Sequence, residues 1–355
     1  MSKTKVAVLG ATGMVGQRFV KLLSEHPWFE LAAVTGSSSS IGKKYGEVVN
    51  WRIEGGVPEK FADMKVVGSE VDAIKSADDI DIVFSALPSE VAAEVEPKFA
   101  NAGYGVVSDA AAFRMEKDVP ILVAEVNPEH LEILKVQRAN RKWSGFIVPN
   151  PNCTTTALIL PLKPIFDKYG IKKILVSTMQ AISGAGYDGV PSMAILDNII
   201  PYIAKEEWKV ENEAKKILGI FKKDHIEPAD FAISASCHRV LVYDGHTEAV
   251  FLELAEKATP EEIIKAMEQF KGKPQKLKLP SAPENPIIVR KELDRPQPRL
   301  DRDAGNGMAA VVGRVREDPA LPNGIKFVTL GHNTVRGAAG GAILTAELIL
   351  KEGYL

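Results

Sequence analysis

Lys5-Val6-Ala7-Val8-Leu9-Gly10-Ala11-Thr12-Gly13-Met14-Val15-Gly16 governs how the rest of the chain is read. A short apolar run, the pattern of a strand buried on both faces, ends in glycine. Val15, Phe19, Leu22 and Leu23 then recur at helical spacing until Pro27 stops them. The glycines fall in the order G-x-x-G-x-x-G on this strand-to-helix turn. Glycine there permits a tight bend and lets backbone N–H groups at the helix N-terminus approach a pyrophosphate. A ligand-free glycine turn is the plainer alternative, but the position between a strand and a helix is the context a dinucleotide site requires. Gly10, Thr12, Gly13, Met14, Val15 and Gly16 are the expected contacts.

Outward from this turn the pattern repeats. Leu31–Val34, Ile80–Phe84 and Gly105–Ser108 are further buried-strand candidates, with Val91–Ala102 helical between the last two. Such alternation implies a parallel sheet covered on both faces. The second strand runs into Thr35-Gly36-Ser37-Ser38-Ser39-Ser40, with Lys43 and Lys44 close behind. An NAD-selective site usually places a carboxylate there for the ribose hydroxyls. Hydroxyls from Ser37 and Ser38 with nearby ammonium groups suit a 2′-phosphate, so NADP is the expected cofactor.

Near residue 150 the segments change character. Ile174–Gln180, Phe231–Ser236 and Val250–Leu254 are longer strands, several of them expected to be antiparallel. Lys205–Leu218 reads as an exposed helix anchored by Trp208, Ala214 and Leu218, and the proline-rich stretch 280–302 as an extended surface excursion. Gly337–Leu350 is an apolar helix rich in small residues. The fold class expected is α/β: a Rossmann-type domain over residues 1–150, rejoined by a C-terminal helix within 331–355. Residues 151–330 would form an α+β domain with a mixed, largely antiparallel sheet.

In 355 residues Lys plus Arg number 44 and Asp plus Glu 46, a net charge of -2. That balance gives no argument for nucleic-acid or anionic-membrane binding. Two cysteines cannot build a disulfide framework. With no signal-peptide pattern and no run of ~18 apolar residues, a cytoplasmic protein without a metal centre is expected.

Pro149-Asn150-Pro151-Asn152-Cys153-Thr154-Thr155-Thr156 precedes an apolar helical run. Asn152 is a good helix cap, which sets Cys153 in the first turn, where N–H dipoles lower a thiol's pKa. A buried inert thiol is the usual fate of free cysteine, and Cys237, inside a strand-like run, fits it. The prolines and asparagines fixing the turn set Cys153 apart. A thiolate beside a nicotinamide points to attack on a carbonyl, a thiohemiacetal or thioester adduct and hydride exchange, with histidine as acid/base. Of six histidines, His26, His130 and His225 read as surface residues. Spacing alone does not separate His246 from His238 or His332.

Several motifs, in order along the whole chain, resemble the aspartate-β-semialdehyde dehydrogenase family, in particular its archaeal and fungal branch. They are the glycine turn, Ser108-Asp109-Ala110-Ala111-Ala112-Phe113-Arg114-Met115, Asn152-Cys153-Thr154, Gln180-Ala181-Ile182-Ser183-Gly184-Ala185-Gly186, the pair Arg239 and His246, and Asn333-Thr334-Val335-Arg336-Gly337. The resemblance implies NADP-dependent reductive dephosphorylation of L-aspartyl-4-phosphate to aspartate semialdehyde, on the way to lysine, threonine, methionine and isoleucine. It implies Cys153 as nucleophile, His246 as acid/base and Gln180 beside the cysteine. Arg239 would hold the substrate carboxylate, Glu213 the amino group (Glu211 being the alternative), and Lys216, Arg114 and Asn152 the phosphate. Ser85, Ser183, Gly184 and Asn333 would join the cofactor site, and the second domain would form a homodimer or homotetramer. A solvated helix face is the bland reading of Glu213 and Lys216. The same branch contains a malonyl-CoA reductase with Cys/His chemistry, and Asn152 with Thr154–Thr156 favours the aspartyl substrate over it.

Overall fold

The computed structural model describes residues 3–355. Strands β1 (Thr4–Leu9), β2 (Phe29–Thr35), β3 (Val66–Val67), β4 (Ile82–Ser85), β5 (Gly105–Ser108) and β6 (Phe146–Pro149) form one sheet. Their order is β3-β2-β1-β4-β5-β6 and every pairing is parallel. This is the doubly wound arrangement, whose order reverses beside β1 and opens a crevice at the strand C-termini. Val6, Ala7, Val8 and Leu9 are all buried, as a strand covered by helices on both faces demands.

The glycine turn sits at that crevice. Gly10 has φ +73°, a left-handed conformation, and a Cβ on it would lie 2.9 Å from the Ala86 carbonyl. A Cβ on Gly16 would lie 2.2 Å from the Gly10 carbonyl, so the helix Met14–Leu23 packs against its own turn only because residue 16 has no side chain. The final helix, Gly340–Lys351, returns to this half of the molecule: Ala342, Ile343, Ala346 and Ile349 share one apolar core with Val6, Val8 and Phe19.

The second sheet is mixed. Strand β7 (Ile171–Gln180) pairs in parallel with β10 (Ala232–Arg239) and antiparallel with β11 (His246–Leu254); a small hairpin, β8 (Ile220–Phe221) and β9 (Ile226–Glu227), lies apart. Strands β12 (Ile287–Val289), β13 (Ala310–Glu317) and β14 (Gly324–Gly331) complete the order β10-β7-β11-β14-β13-β12. Leu158, Leu162 and Ile165 of the helix Cys153–Tyr169 share a core with Ile174, Val250, Leu252 and Phe327 of this sheet.

Three local expectations are corrected. The proline-rich stretch is no mere excursion, because its proline-free run Ile287–Val289 forms edge strand β12, paired in parallel with β13. Of the expected anchors Ala214 and Leu218 are buried but Trp208 is exposed; the helix Glu206–Ile217 also buries Glu206, Val210, Glu213, Lys216 and Ile217. His26 and His130 are buried, not surface residues: His26 bonds Glu347 at 2.7 Å, and His130 lies between Asn127 and the Gly219 carbonyl. Among the described residues no helix is long and apolar enough to cross a membrane.

Gly16→Ala forces backbone apart at the turn, and is expected to cost about 1–3 kcal/mol of stability. Urea denaturation of the two proteins measures it.

Candidate active site

Cys153 is the first residue of its helix. Asn152 caps that helix, its side-chain oxygen accepting from the Thr154 and Thr155 N–H groups, as its residue type predicts. β11 begins with His246, and its Nε2 lies 3.2 Å from Cys153 Sγ. The backbone N–H of Ala181, just past the end of β7, donates to His246 Nδ1 at 3.0 Å. Parallel pairing of β10 with β7 sets Arg239 opposite Gln180, and Arg239 Nη1 donates to the Ala181 carbonyl at 2.6 Å. Thus the ends of three neighbouring strands meet the first turn of one helix.

A cleft of about 260 Å³ opens over the sulfur, lined among others by Met14, Val15, Arg114, Lys209, Ser183 and Asn333. Two close approaches shape it. A Cβ on Gly337 would lie 2.6 Å from the Cys153 Cβ, and one on Gly184 2.9 Å from Arg239 Nη1. Asn333 accepts from the Gly245 N–H and donates to Ser183 Oγ, tying the turn before His246 to the loop after β7.

Beneath the cleft lies a carboxylate that the sequence reading passed over. Glu206 Oε1 accepts from Asn152 Nδ2 and Gln180 Nε2, both at 2.9 Å, and from Thr154 Oγ1 at 3.3 Å. Its other oxygen faces Lys209 Nζ at 3.3 Å. Burial drives the Glu206 carboxyl upward, but Lys209, Gln180 and Asn152 outweigh it and hold the group below the usual carboxylate range. Burial pushes the Cys153 thiol up to about 12, reinforced by the Glu206 charge. The expected lowering by the helix N-terminus is therefore overturned: the dipole is present, but desolvation and a neighbouring anion exceed it. Burial likewise holds His246 down at about 3, against the pull of Glu206.

Glu213 and Lys216 are not in the cleft. Glu213 accepts from Arg114 Nη1 at 3.0 Å and from the Asn152 N–H at 2.6 Å. Lys216 Nζ is spent on the carbonyls of Arg114, Glu116 and Val119, each at 2.7 Å. The spacing Glu-x-x-Lys occurs twice on this helix, at 206/209 and 213/216, seven residues apart. Two helical turns put both pairs on one face, so only the helix's direction decides which pair meets the sulfur. Glu211 bonds the Ala235 N–H instead. Ser85, the last residue of β4, is paired opposite Leu9 at the end of β1, with its side chain buried near Glu96.

The dinucleotide expectation meets a suitable frame. Gly13 caps the helix Met14–Leu23 without any side-chain hydrogen bond, so its first N–H groups have no side-chain partner. Met14 and Val15 carry that helix end into the cleft, while Ser37 and Ser38 stand exposed after β2. These features fit a pyrophosphate and a 2′-phosphate.

Models of the semialdehyde dehydrogenase NAD-binding domain and dimerisation domain match residues 5–134 and 162–336. An aspartate-semialdehyde dehydrogenase of Methanothermobacter thermautotrophicus is 58% identical over 97% of this chain and 98% of its own. The chain belongs to the aspartate-semialdehyde dehydrogenase family. A crystal structure of the Candida albicans aspartate-semialdehyde dehydrogenase with NADP superposes at a TM-score of 0.91, with 43% identity and full coverage of both chains. A malonyl-CoA reductase (NADP) of Metallosphaera sedula is 42% identical over 99% of this chain and 98% of its own, so this family relationship spans two acyl substrates.

The two lysines should separate cleanly. Lys216→Met strips three buried carbonyls of their donor and is expected to cost about 2–4 kcal/mol. Lys209→Met, at the cleft wall, should cost less than about 1 kcal/mol. Denaturant midpoints of the two variants test this assignment.

Proposed function

We propose that this chain performs the NADP-dependent reductive dephosphorylation of L-aspartyl-4-phosphate to L-aspartate 4-semialdehyde, in the biosynthesis of lysine, threonine, methionine and isoleucine. The observation that carries this reading is Cys153 Sγ, 3.2 Å from His246 Nε2, at the floor of a cleft also lined by cationic groups and by the glycine-turn helix.

Cys153 attacks the acyl carbon and releases phosphate, leaving a thioester on the enzyme. His246 stands beside the reacting atoms to stabilise and protonate oxygen. Arg239, buried with one nitrogen fixed on the Ala181 carbonyl, keeps the rest of its guanidinium for the substrate's α-carboxylate. Lys209 and Arg114 replace the pair Lys216 and Arg114 as the phosphate ligands, and Glu206 replaces Glu213 as the partner of the substrate ammonium. Gln180 is a positioning residue that acts through Glu206. The glycine turn with Met14 and Val15 holds the pyrophosphate, Ser37 and Ser38 the 2′-phosphate, and Ser183, Gly184 and Asn333 the nicotinamide end. When bound, NADPH supplies the hydride that reduces the thioester.

We assign residues 1–150 with the C-terminal segment 331–355 to cofactor binding and 151–330 to catalysis and dimerisation, in a cytoplasmic homodimer or homotetramer. Exposed alternate residues on β7 and β10, Leu175 among them, support association through that face of the second sheet.

NADPH oxidation with aspartyl phosphate, set against malonyl-CoA, tests the substrate; turnover with malonyl-CoA alone overturns it. Cys153→Ala should lose several orders of magnitude in turnover, and His246→Asn about 10²- to 10⁴-fold. In the phosphate-dependent reverse reaction, Lys209→Ala and Arg114→Ala should each raise the KM for phosphate by about 10- to 100-fold, leaving NADP affinity unchanged.

A further inference from the structure

We propose that Glu248 is a positioning residue of this site: a neutral carboxylic acid, one row beneath the catalytic side chains, that holds Glu206 in place through Thr178 and Gln180. The register of the second sheet sets out that row. At the strand ends Arg239 lies opposite Gln180, and His246 opposite Gly331. Two residues further in, Cys237, Thr178, Glu248 and Thr329 stand opposite one another across β10, β7, β11 and β14. All four are fully buried. The next row, Ala235, Val176, Val250 and Phe327, is apolar. A single polar tier thus separates the cleft from the core.

Glu248 is its anomalous member. Both of its oxygens are buried, and neither has a hydrogen-bond partner among the described residues. Burial, reinforced by the Glu206 charge, pushes its carboxyl well above the usual carboxylate range. The titratable groups around this row are Cys237 on β10, Glu206 on its helix, Cys153 at the start of the helix above, and His246 two residues before Glu248. From β7 and β14 come only the hydroxyls of Thr178 and Thr329.

Donor and acceptor roles place the proton independently. The Glu206 carboxylate only accepts, so Gln180 must turn Nε2 towards it, over 2.9 Å. Gln180 Oε1 then faces Thr178 Oγ1 at 3.0 Å and takes its hydrogen. With that hydrogen spent, Thr178 offers only lone pairs to Glu248, directly opposite on β11, within the reach of cross-strand neighbours. An ionised Glu248 would set acceptor against acceptor in the interior. A carboxylic acid completes the chain instead. Glu248 donates to Thr178, Thr178 to Gln180 and Gln180 to Glu206, so every hydrogen points at the one anion. Only the last consequence, the aim of Glu206 at the substrate ammonium, rests on the function proposed above.

Infrared difference spectra of wild type and Glu248→Gln test the proton. A protonated-carboxyl C=O band is expected at about pH 8, far above the ordinary glutamate range, and the variant should lose it; no such band overturns the proposal. Denaturation across pH is the second measurement. Relative to wild type, the folding equilibrium constant of Glu248→Gln should grow about tenfold per pH unit above about pH 5, because only wild type must take up a proton to fold there. A ratio independent of pH would mean an ionised Glu248 and overturn the proposal. The positioning role is read in the phosphate-dependent reverse reaction. Glu248→Leu, with no donor, should raise the KM for aspartate semialdehyde about 10-fold and leave NADP affinity unchanged. Glu248→Gln, with an N–H to give Thr178, should recover most of that loss. Thr178→Val cuts the chain at its next link and should show the same split even if Glu248→Leu fails to fold. An unchanged KM in either folded variant overturns the positioning role. Turnover of malonyl-CoA alone would refute the substrate, whereas the band and the pH slope stand or fall without it.

Discussion

One carboxylate oxygen ties the catalytic half together. Glu206 Oε1 accepts from the cap of the cysteine helix, from the hydroxyl of Thr154, the second residue of that helix, and from the amide at the end of β7. A charged acceptor with several donors is well worth its desolvation, whereas the same group unpaired in a buried position would not persist. Because those donors belong to separate elements, the one ion fixes the cysteine helix relative to the sheet edge that supplies Gln180, Arg239 and His246. It also sets the electrostatics of the site. Held ionised, it adds to the effect of burial in raising the thiol's pKa and works against burial at the imidazole, so one group bears on both geometry and protonation.

A second constraint comes from residues that have no side chain. Gly184 and Gly337 crowd the reacting pair closely enough that a methyl group on either would intrude. The site is thus walled by backbone, which leaves room for a small substrate while the surrounding polar groups remain buried. Arg114 and Glu213 perform a related task across the two halves. Their ion pair, with the Asn152 N–H on the other carboxylate oxygen, joins the segment after β5 to the cysteine helix.

Most of the fold was legible because its signals are local. Apolar runs ending in glycine, helical spacing and the caps at Asn152 and Gly13 depend on neighbours within a few residues. The family motifs added order along the chain, and Cys153, His246, Gln180 and Arg239 do converge. What escaped depends on direction in space. Nothing in the sequence separates Glu206-x-x-Lys209 from Glu213-x-x-Lys216, since both occupy one face of one helix. Thiol acidity was misjudged for a similar reason: the helix N-terminus is visible in the sequence, whereas the enclosing wall and the Glu206 anion come from segments far along the chain. His26 and His130 look like loop-edge residues until Glu347 and Gly219, distant in sequence, arrive as their partners.

Gly337 ends up against the nucleophile, and the residues just after it fill the core beneath the glycine turn. During synthesis a ribosome therefore releases most of both sheets before the wall behind the sulfur exists. Until residues 332–351 have emerged and docked, the emerging polypeptide has an unfinished nucleotide crevice and an unbacked thiol, so enzymatic competence must arrive late, and in both halves together.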